Sequence, residues 1–509
     1  MDWIRSVGGA AVAWLAVTLA VPSGSVSAQD LRIEHVAIVS PERSQPLRDA
    51  TVSIHDGRIA AISGASAARP SRAASSGPAS QLDGKGLYLV PGLIDSHVHL
   101  NEIPGMTDEQ EKLHPDIARA AREQIPRSFL RFGFTTLIDL ISTPEAMARW
   151  KGHDIVPDTY FCGGAALIDG YPMNYMPKPV RYERMPYLIV EPGAHPSLPP
   201  GVDAAAHSPQ AVVAHMKSDG AICVKTFFER GFGGVHDLPV PRLETIRALV
   251  TAAHAAGLPV LMHANSAEAQ AFGLDAGVDI LAHGLWNWND PSSTIEVTPA
   301  VRAVLDRVVE TNIGWQATIQ VLFGVRDLFS TTFLSDPALT RVLPASLIAW
   351  YGTKEGQWLR DSVADTPITD PKAAQAQMNS GFAVVIGRAE KATGYLAKHH
   401  AHFLFGTDTP SAPTFANPPG LNAWREMHNL VDAGLTPAQI FEAATRSNAR
   451  ALHLDRDIGT VEVGKRANLL LLPADPRKTI EGYGRIDKII LAGRVIDPGE
   501  LAADHAHSE

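Results

Sequence analysis

The sequence predicts an α/β fold: a (β/α)8 barrel accompanied by a small sheet domain built from both chain ends. Three observations carry this expectation. Short β-like runs alternate with amphipathic helical runs through the middle of the chain. Strand-rich texture recurs at both ends, separated by roughly 370 residues of that alternation. A chain of 509 residues also exceeds what one simple core organises. With 45% hydrophobic and 19% charged residues, the composition excludes wholesale disorder, a collagen-like repeat and a coiled-coil rod. A net charge of -10, from 44 basic and 54 acidic residues, is a mild acidity that argues against a nucleic-acid partner. Only 2 Cys accompany 20 His, so a disulfide scaffold and a thiolate zinc site are both excluded. Any bound metal would be held by imidazole and carboxylate.

Taken in order, the first element is an address. Arg5 precedes an apolar run from Val7 to Val21, broken by Pro22, Ser23 and Gly24 and followed by the small residues Val26, Ser27 and Ala28. That run is shorter than the ~20 residues a spanning helix needs. A signal peptide over residues 1–28, cleaved after Ala28, is expected, with a secreted or periplasmic mature protein and no stable membrane anchor. In that compartment Cys162 and Cys223 could oxidise, but two buried free thiols are the expectation. Strands follow at Ile33–Val39, Thr51–His55, Arg58–Ser63 and Gly86–Val90, with Asp56-Gly57 as a hairpin turn. The Ala-, Ser-, Pro- and Gly-rich stretch Gly64–Ser80 reads as a surface loop. At the far end, Ala467–Leu472, Ile486–Leu491 and Arg494–Ile496 supply matching strands.

The barrel strands are expected at Leu93–His99, Thr135–Leu140, Thr159–Gly163, Ala221–Phe227, Val260–His263, Ile280–His283, Gly314–Ala317 and Phe403–Asp408. Helices such as Pro241–Ala256 and Pro299–Glu310 lie between them. An open doubly wound sheet is the competing α/β answer, weakened by the absence of a glycine-rich strand-to-helix fingerprint. Two connections are too long for plain loops, about 164–207 and 318–402, and both leave the rim where barrels build active sites. The first carries Tyr171, Tyr175, Tyr182 and Tyr187; the second carries Trp350 and Trp358.

A His-x-His pair alone says little, since about 0.8 are expected by chance at this histidine content. The chain holds three: His97/His99, His400/His402 and His505/His507. Only the first closes an apolar strand at its carboxyl end, with both imidazoles on one face. His400/His402 precedes its strand, and His505/His507 lies in a polar tail. The same test selects His263, His283, Asp408 and Lys225, each at the end of a separate apolar strand.

The string Leu89-Val90-Pro91-Gly92-Leu93-Ile94-Asp95-Ser96-His97-Val98-His99 resembles the first metal motif of the amidohydrolase superfamily. Gly459 to Leu469 resembles the return into that family's small β-sandwich. The resemblance covers about Leu31 to Pro498, and it is strongest to the imidazolonepropionase-like and Xaa-Pro dipeptidase-like branch. It implies a distorted TIM barrel holding one or two divalent ions, most often zinc. The implied division is a β-sandwich from 29–90 and 451–500, a hydrolase barrel from 91–450 and a tail from 501–509. It further implies that Lys225 is carboxylated, since an ammonium has donors only. One metal would then take His97, His99 and Asp408, the other His263 and His283, with Lys225 between them. Without carboxylation, Lys225 would pair with Asp408 and the site would be mononuclear.

Zinc brings the pKa of bound water to about 7. The expected reaction is hydrolysis of the amide or peptide C–N bond of a dipeptide or N-acyl amino acid by a metal-bridging hydroxide, with Asp408 as the catalytic acid/base. A cyclic amide, ester, lactone or phosphotriester substrate is the alternative, and a non-catalytic exported binding protein a remote one. Arg230 is a candidate for a substrate carboxylate, against a surface salt bridge, and Tyr171 for an apolar group. The partner is a small molecule; a homo-oligomer remains open. Two departures from the branch stand out: Ala264-Asn265-Ser266 follows His263 where His-Ala-His-Gly is common, and Gly163-Gly164-Ala165-Ala166 stands where Gly-Gly-His-Gly is common.

Overall fold

The computed structural model describes residues 30–64 and 80–503, apart from 151, 192, 194–197, 234, 365 and 412. The expected signal peptide, most of the Gly64–Ser80 loop, and His505 and His507 lie outside the described residues. In chain order come β1 (Leu31–Ile38), β2 (Leu47–His55), β3 (Arg58–Ser63), β4 (Ser80–Asp83) and β5 (Tyr88–Pro91). The barrel strands follow: β6 (Leu93–Val98), β7 (Phe134–Asp139), β8 (Asp158–Ala165), β9 (Cys223–Phe227), β10 (Val260–His263), β11 (Ile280–Ala282), β12 (Gly314–Gln316) and β13 (Phe403–Leu404). The last three are β14 (Leu469–Leu472), β15 (Lys488–Leu491) and β16 (Arg494–Ile496).

The two chain ends share one sheet, ordered β16-β15-β14-β5-β1-β2-β3 with β4 beside β1. Alternate side chains of β1 and β2 point into a compact core with Ile33, Val36, Val52, Leu469 and Leu471. Asp56 and Gly57 both take positive φ (48° and 71°), the geometry that joins β2 to β3 with a two-residue turn. Ile59 N then donates to Lys465 O (2.9 Å) and Ala467 N to Gly57 O (2.8 Å), curling the sheet round onto the approach to β14.

The barrel strands pair in parallel in sequence order, β6 through β13. Every residue of β6, β7, β9 and β10 is buried, as expected of strands covered on both faces. The ring closes where Ser96 N donates to Phe405 O (3.1 Å), Asp408 N to His97 O (2.7 Å) and His99 N to Thr409 O (2.7 Å). This closure excludes the open doubly wound sheet. Ser208, Ser266 and Thr298 start three of the surrounding helices, each accepting from the backbone N–H three residues on.

Three expectations need correction. Cys162 and Cys223 are joined in a disulfide, not free. They are direct register partners on β8 and β9, and pairing register is invisible in sequence. The span 318–402 is not one insertion, because helix Pro371–Lys398 packs against helices Pro299–Thr311 and Leu421–Asp432 and so belongs to the barrel's outer ring. The true excursion is 328–370. The packed chain also continues past 500: Leu501 O accepts from Gln124 Nε2 (2.9 Å), and Ala503 is buried. No helix among the described residues is long and apolar enough to cross a membrane.

Candidate metal centre

Parallel strands deliver their carboxyl ends to one rim, and that topology gathers the selected side chains. His97 lies on β6 and His99 just beyond it; Lys225 lies on β9 and His263 ends β10; His283 and Asp408 follow β11 and β13. Asp408 Oδ1 is 2.9 Å from both His97 Nε2 and His99 Nε2. The His97 and His283 ring centres are 4.9 Å apart, and those of His263 and His283 4.4 Å. His97, His283 and Asp408 offer ligand atoms all within 4.8 Å of one another. His283 therefore stands between the two expected ligand groups, its ring nearer to that of His263. Asp408 (φ 59°), His283 (φ 82°) and Thr318 (φ 45°) all sit in the left-handed region, a strain characteristic of functional sites. Gly406 permits the approach, since a Cβ there would lie 2.7 Å from His97 Cβ.

The neighbours of the histidines fix which ring nitrogen faces the centre. Gln316 Nε2 donates to Ser96 Oγ (2.8 Å), which turns its Oε1 to His97 Nδ1 at 3.1 Å. His283 Nδ1 is engaged in the same manner by Thr318 Oγ1 (3.0 Å). Burial, reinforced by Lys225, pushes His97 down to about 3, so the ring is neutral. With Nδ1–H given to Gln316, its Nε2 lone pair faces the Asp408 carboxylate across 2.9 Å. Two acceptors at that distance call for a cation, and a neutral imidazole beside a carboxylate is the donor set of a divalent metal. Burial opposes charge on His99, yet its hydrogen bond to Asp408 and the acidic groups nearby raise it to about 9. Burial also works against ionised Asp408, but its contact with the protonated His99 (2.9 Å) helps hold it well below the usual carboxylate range.

Lys225 is 1% exposed, and its Nζ has no hydrogen-bond partner. No ion pair joins it to Asp408; burial lowers the amine to about 7 against the raising influence of Asp408. An unpartnered buried amine is rare because it forfeits its hydration.

The remaining candidates divide. Tyr171 reaches the site: its ring lies 4.6 Å from His263 and packs with Phe227 (5.8 Å) and Phe232 (5.7 Å). Arg230 does not reach it. Its Nη2 bonds Glu268 Oε1 (2.8 Å) and its Nε bonds Oε2 (3.1 Å) at the exposed start of helix Ala267–Ala276, so the salt bridge engages the guanidinium. Trp350 and Trp358 pack the excursion, Trp358 Nε1 donating to Gly105 O (3.0 Å). Tyr187 is buried with its hydroxyl on Asp219 (2.6 Å). His402 lies at the opposite end of the barrel with His254 and His453. Sequence reasoning missed Gln316, Thr318 and Glu229. The first two end or follow a strand, the signal that found the other residues, but neither is an obvious metal ligand.

With this geometry in place, the comparisons are informative. The model of the "Amidohydrolase family" matches residues 88–281 and 384–496. The chain is 31% identical over 153 residues to a 5-methylthioadenosine/S-adenosylhomocysteine deaminase of Caldanaerobacter subterraneus subsp. tengcongensis, covering 26% of this chain and 32% of that one. It is 32% identical over 78 residues to an imidazolonepropionase of Shouchella clausii, covering 15% of this chain and 17% of that one. The match thus spans under a third of either curated relative. A solved Xaa-Pro dipeptidase with bound methionine in the active site aligns over 92% of this chain and 100% of its own, at a TM-score of 0.60 and 19% identity.

Proposed function

The chain belongs to the amidohydrolase family of metal-dependent hydrolases, enzymes acting on C–N bonds of small molecules, and from that premise we propose that it cleaves the amide bond of a dipeptide or N-acyl amino acid with an apolar or aromatic substituent. The observation that carries this reading is Lys225, a buried amine without a partner inside a ring of His97, His99, His263, His283 and Asp408. In the proposal the neutral Lys225 amine bonds to the carbon of CO2 and releases one proton, giving a carbamate whose single negative charge is shared by its two oxygens. His97, His99 and Asp408 would hold one divalent ion, and His263 and His283 another, with the carbamate between them; zinc suits this set of imidazoles and carboxylates. When bound, such ions bring a water's pKa near 7 and polarise the scissile carbonyl.

The protein's own groups do the rest. Asp408 Oδ1 faces the Nε2 atoms of His97 and His99, so Oδ2 is the atom assigned to take the attacking water's proton and pass it to the leaving nitrogen. The Tyr171, Phe227 and Phe232 rings line the approach to His263 and suit an apolar group. Export fits the Cys162–Cys223 disulfide, which persists in oxidising compartments. The test is turnover by the zinc-loaded protein on matched panels of dipeptides, N-acyl amino acids, cyclic amides, lactones and phosphotriesters. Preferential release of apolar or aromatic amines or amino acids supports the proposal. Turnover confined to esters or phosphotriesters overturns it.

A further inference from the structure

Glu229 lies four residues beyond Lys225, where the chain leaves β9, and it is only 7% exposed. Carboxylates tolerate such burial when their oxygens are engaged. Glu229 Oε1 accepts from Gly231 N (2.7 Å), and Oε2 accepts from Asn265 Nδ2 (2.7 Å). Oε2 also lies 3.2 Å from His263 Nε2. The proton moves assigned to Asp408 and the carbamate assigned to Lys225 make no use of this group.

An ionised carboxylate only accepts hydrogen bonds, so the nitrogen facing it must carry the proton. A neutral imidazole has one N–H; with that proton on Nε2, the His263 lone pair resides on Nδ1. His97 and His283 are held the opposite way. Their Nδ1 atoms meet Gln316 and Thr318, leaving Nε2 for the centre. These two partners are neutral, so among the three rings only His263 has a charged partner behind it. Asn265, two residues beyond His263 on the same exit, has its Nδ2 3.2 Å from His263 Nε2 but only 2.7 Å from Glu229 Oε2, so it donates to the carboxylate and aligns the oxygen that His263 meets.

We infer that Glu229, aligned by Asn265 and the Gly231 N–H, is a positioning residue that fixes His263 with Nδ1 toward the centre and thereby strengthens metal binding on the His263/His283 side. The inference rests on the two-ion reading above. A carboxylate behind a ligating imidazole raises its basicity and fixes its orientation, and losing such a partner typically costs about 10- to 100-fold in metal affinity.

The test is zinc content per chain after equilibration against a graded chelator, for the wild type, Glu229→Ala, Glu229→Gln and Asn265→Ala. In Glu229→Ala one of two zinc equivalents should leave at roughly 10- to 100-fold lower chelator concentration, with the other unchanged. Glu229→Gln should fall between, because its amide oxygen still accepts from Nε2–H without a charge. Asn265→Ala should show a smaller loss of the same equivalent. If Glu229→Ala does not fold, Glu229→Gln is read alone: selective weakening of one equivalent upholds the inference, and unchanged affinity overturns it. Loss of both equivalents together, with a lowered denaturant midpoint of the metal-free variant, would mean a merely structural role and overturns it as well. A single equivalent in the wild type defeats the two-ion reading separately. In that event Glu229 keeps its role only if Glu229→Ala still weakens the one ion.

Discussion

The disulfide across the barrel floor gives the most quantitative prediction. Cys162 and Cys223 lie among Ile94, Ile138, Leu261, Ile280 and Leu404, a buried apolar layer. The bond closes a loop with a sequence separation of 61. Restricting an unfolded loop of that length corresponds to about 4 kcal/mol in the chain-entropy treatment. Adjacent pairing of β8 and β9 holds the two strands together without the bond, so its loss lowers stability but leaves the fold intact. The assay is denaturant unfolding of wild type and C162A/C223A, each with and without reductant. The wild-type midpoint should fall on reduction, while the midpoint of the variant should ignore reductant. Turnover at a fixed temperature below the transition should be the same in oxidised and reduced wild type, because the candidate site residues cluster at the other end of the strands. Denatured, unreduced wild type should show no titratable thiol. Two thiols in that sample, or a midpoint indifferent to reductant, would refute the reasoning.

Three further outcomes follow from the geometry. Asp408→Asn should retain the fold, since Asn tolerates the positive φ of 59°, but lose at least about 100-fold in kcat through the missing proton carrier; near-normal kcat in steady-state assays would remove Asp408 from that role. Gly406→Ala places a methyl 2.7 Å from His97 Cβ, so a loss of about 1–3 kcal/mol in unfolding free energy and weaker zinc retention are expected; wild-type retention would contradict the close approach. Burial raises Glu426 from its ordinary 4.5 to about 8, even though it accepts from Ile319 N (3.0 Å) and Gln320 N (2.6 Å). The folded protein holds this proton more tightly than the unfolded chain, so its stabilising contribution is complete below 4.5 and lost as pH rises through about 8. Glu426→Gln should therefore remove that part of the decline in denaturant midpoint between pH 5 and 9, and an identical decline in both proteins would contradict the assignment.

The site was legible wherever position on a strand carried the information. In a parallel barrel every strand ends at the same rim, so His97, His263, His283, Lys225 and Asp408 could be selected from apolar runs with a polar terminus. Ligand grouping was less legible: His283 falls between His97 and His263 because strand curvature and the positive φ of His283 set its direction. Gln316, Thr318 and Glu229 gain meaning only from the nitrogen each one faces. Arg230 shared the rim position of the other candidates, but the ion pair to Glu268 depends on how helix Ala267–Ala276 crosses the rim. The helix Pro371–Lys398 was absorbed into an insertion since the sequence shows its length and apolar spacing but not its neighbours. The short strand Ser80–Asp83 escaped notice because only Leu82 among its four residues is apolar.

The proposed chemistry depends on conversion of Lys225 from a buried amine into an anionic metal ligand. Zinc content of the purified, bicarbonate-equilibrated protein, compared with Lys225→Ala, tests that conversion most directly. The account predicts about two equivalents in the wild type, consistent with a carbamate shared by two ions, and one or fewer in the variant. One equivalent in the wild type, unchanged in Lys225→Ala, would contradict it.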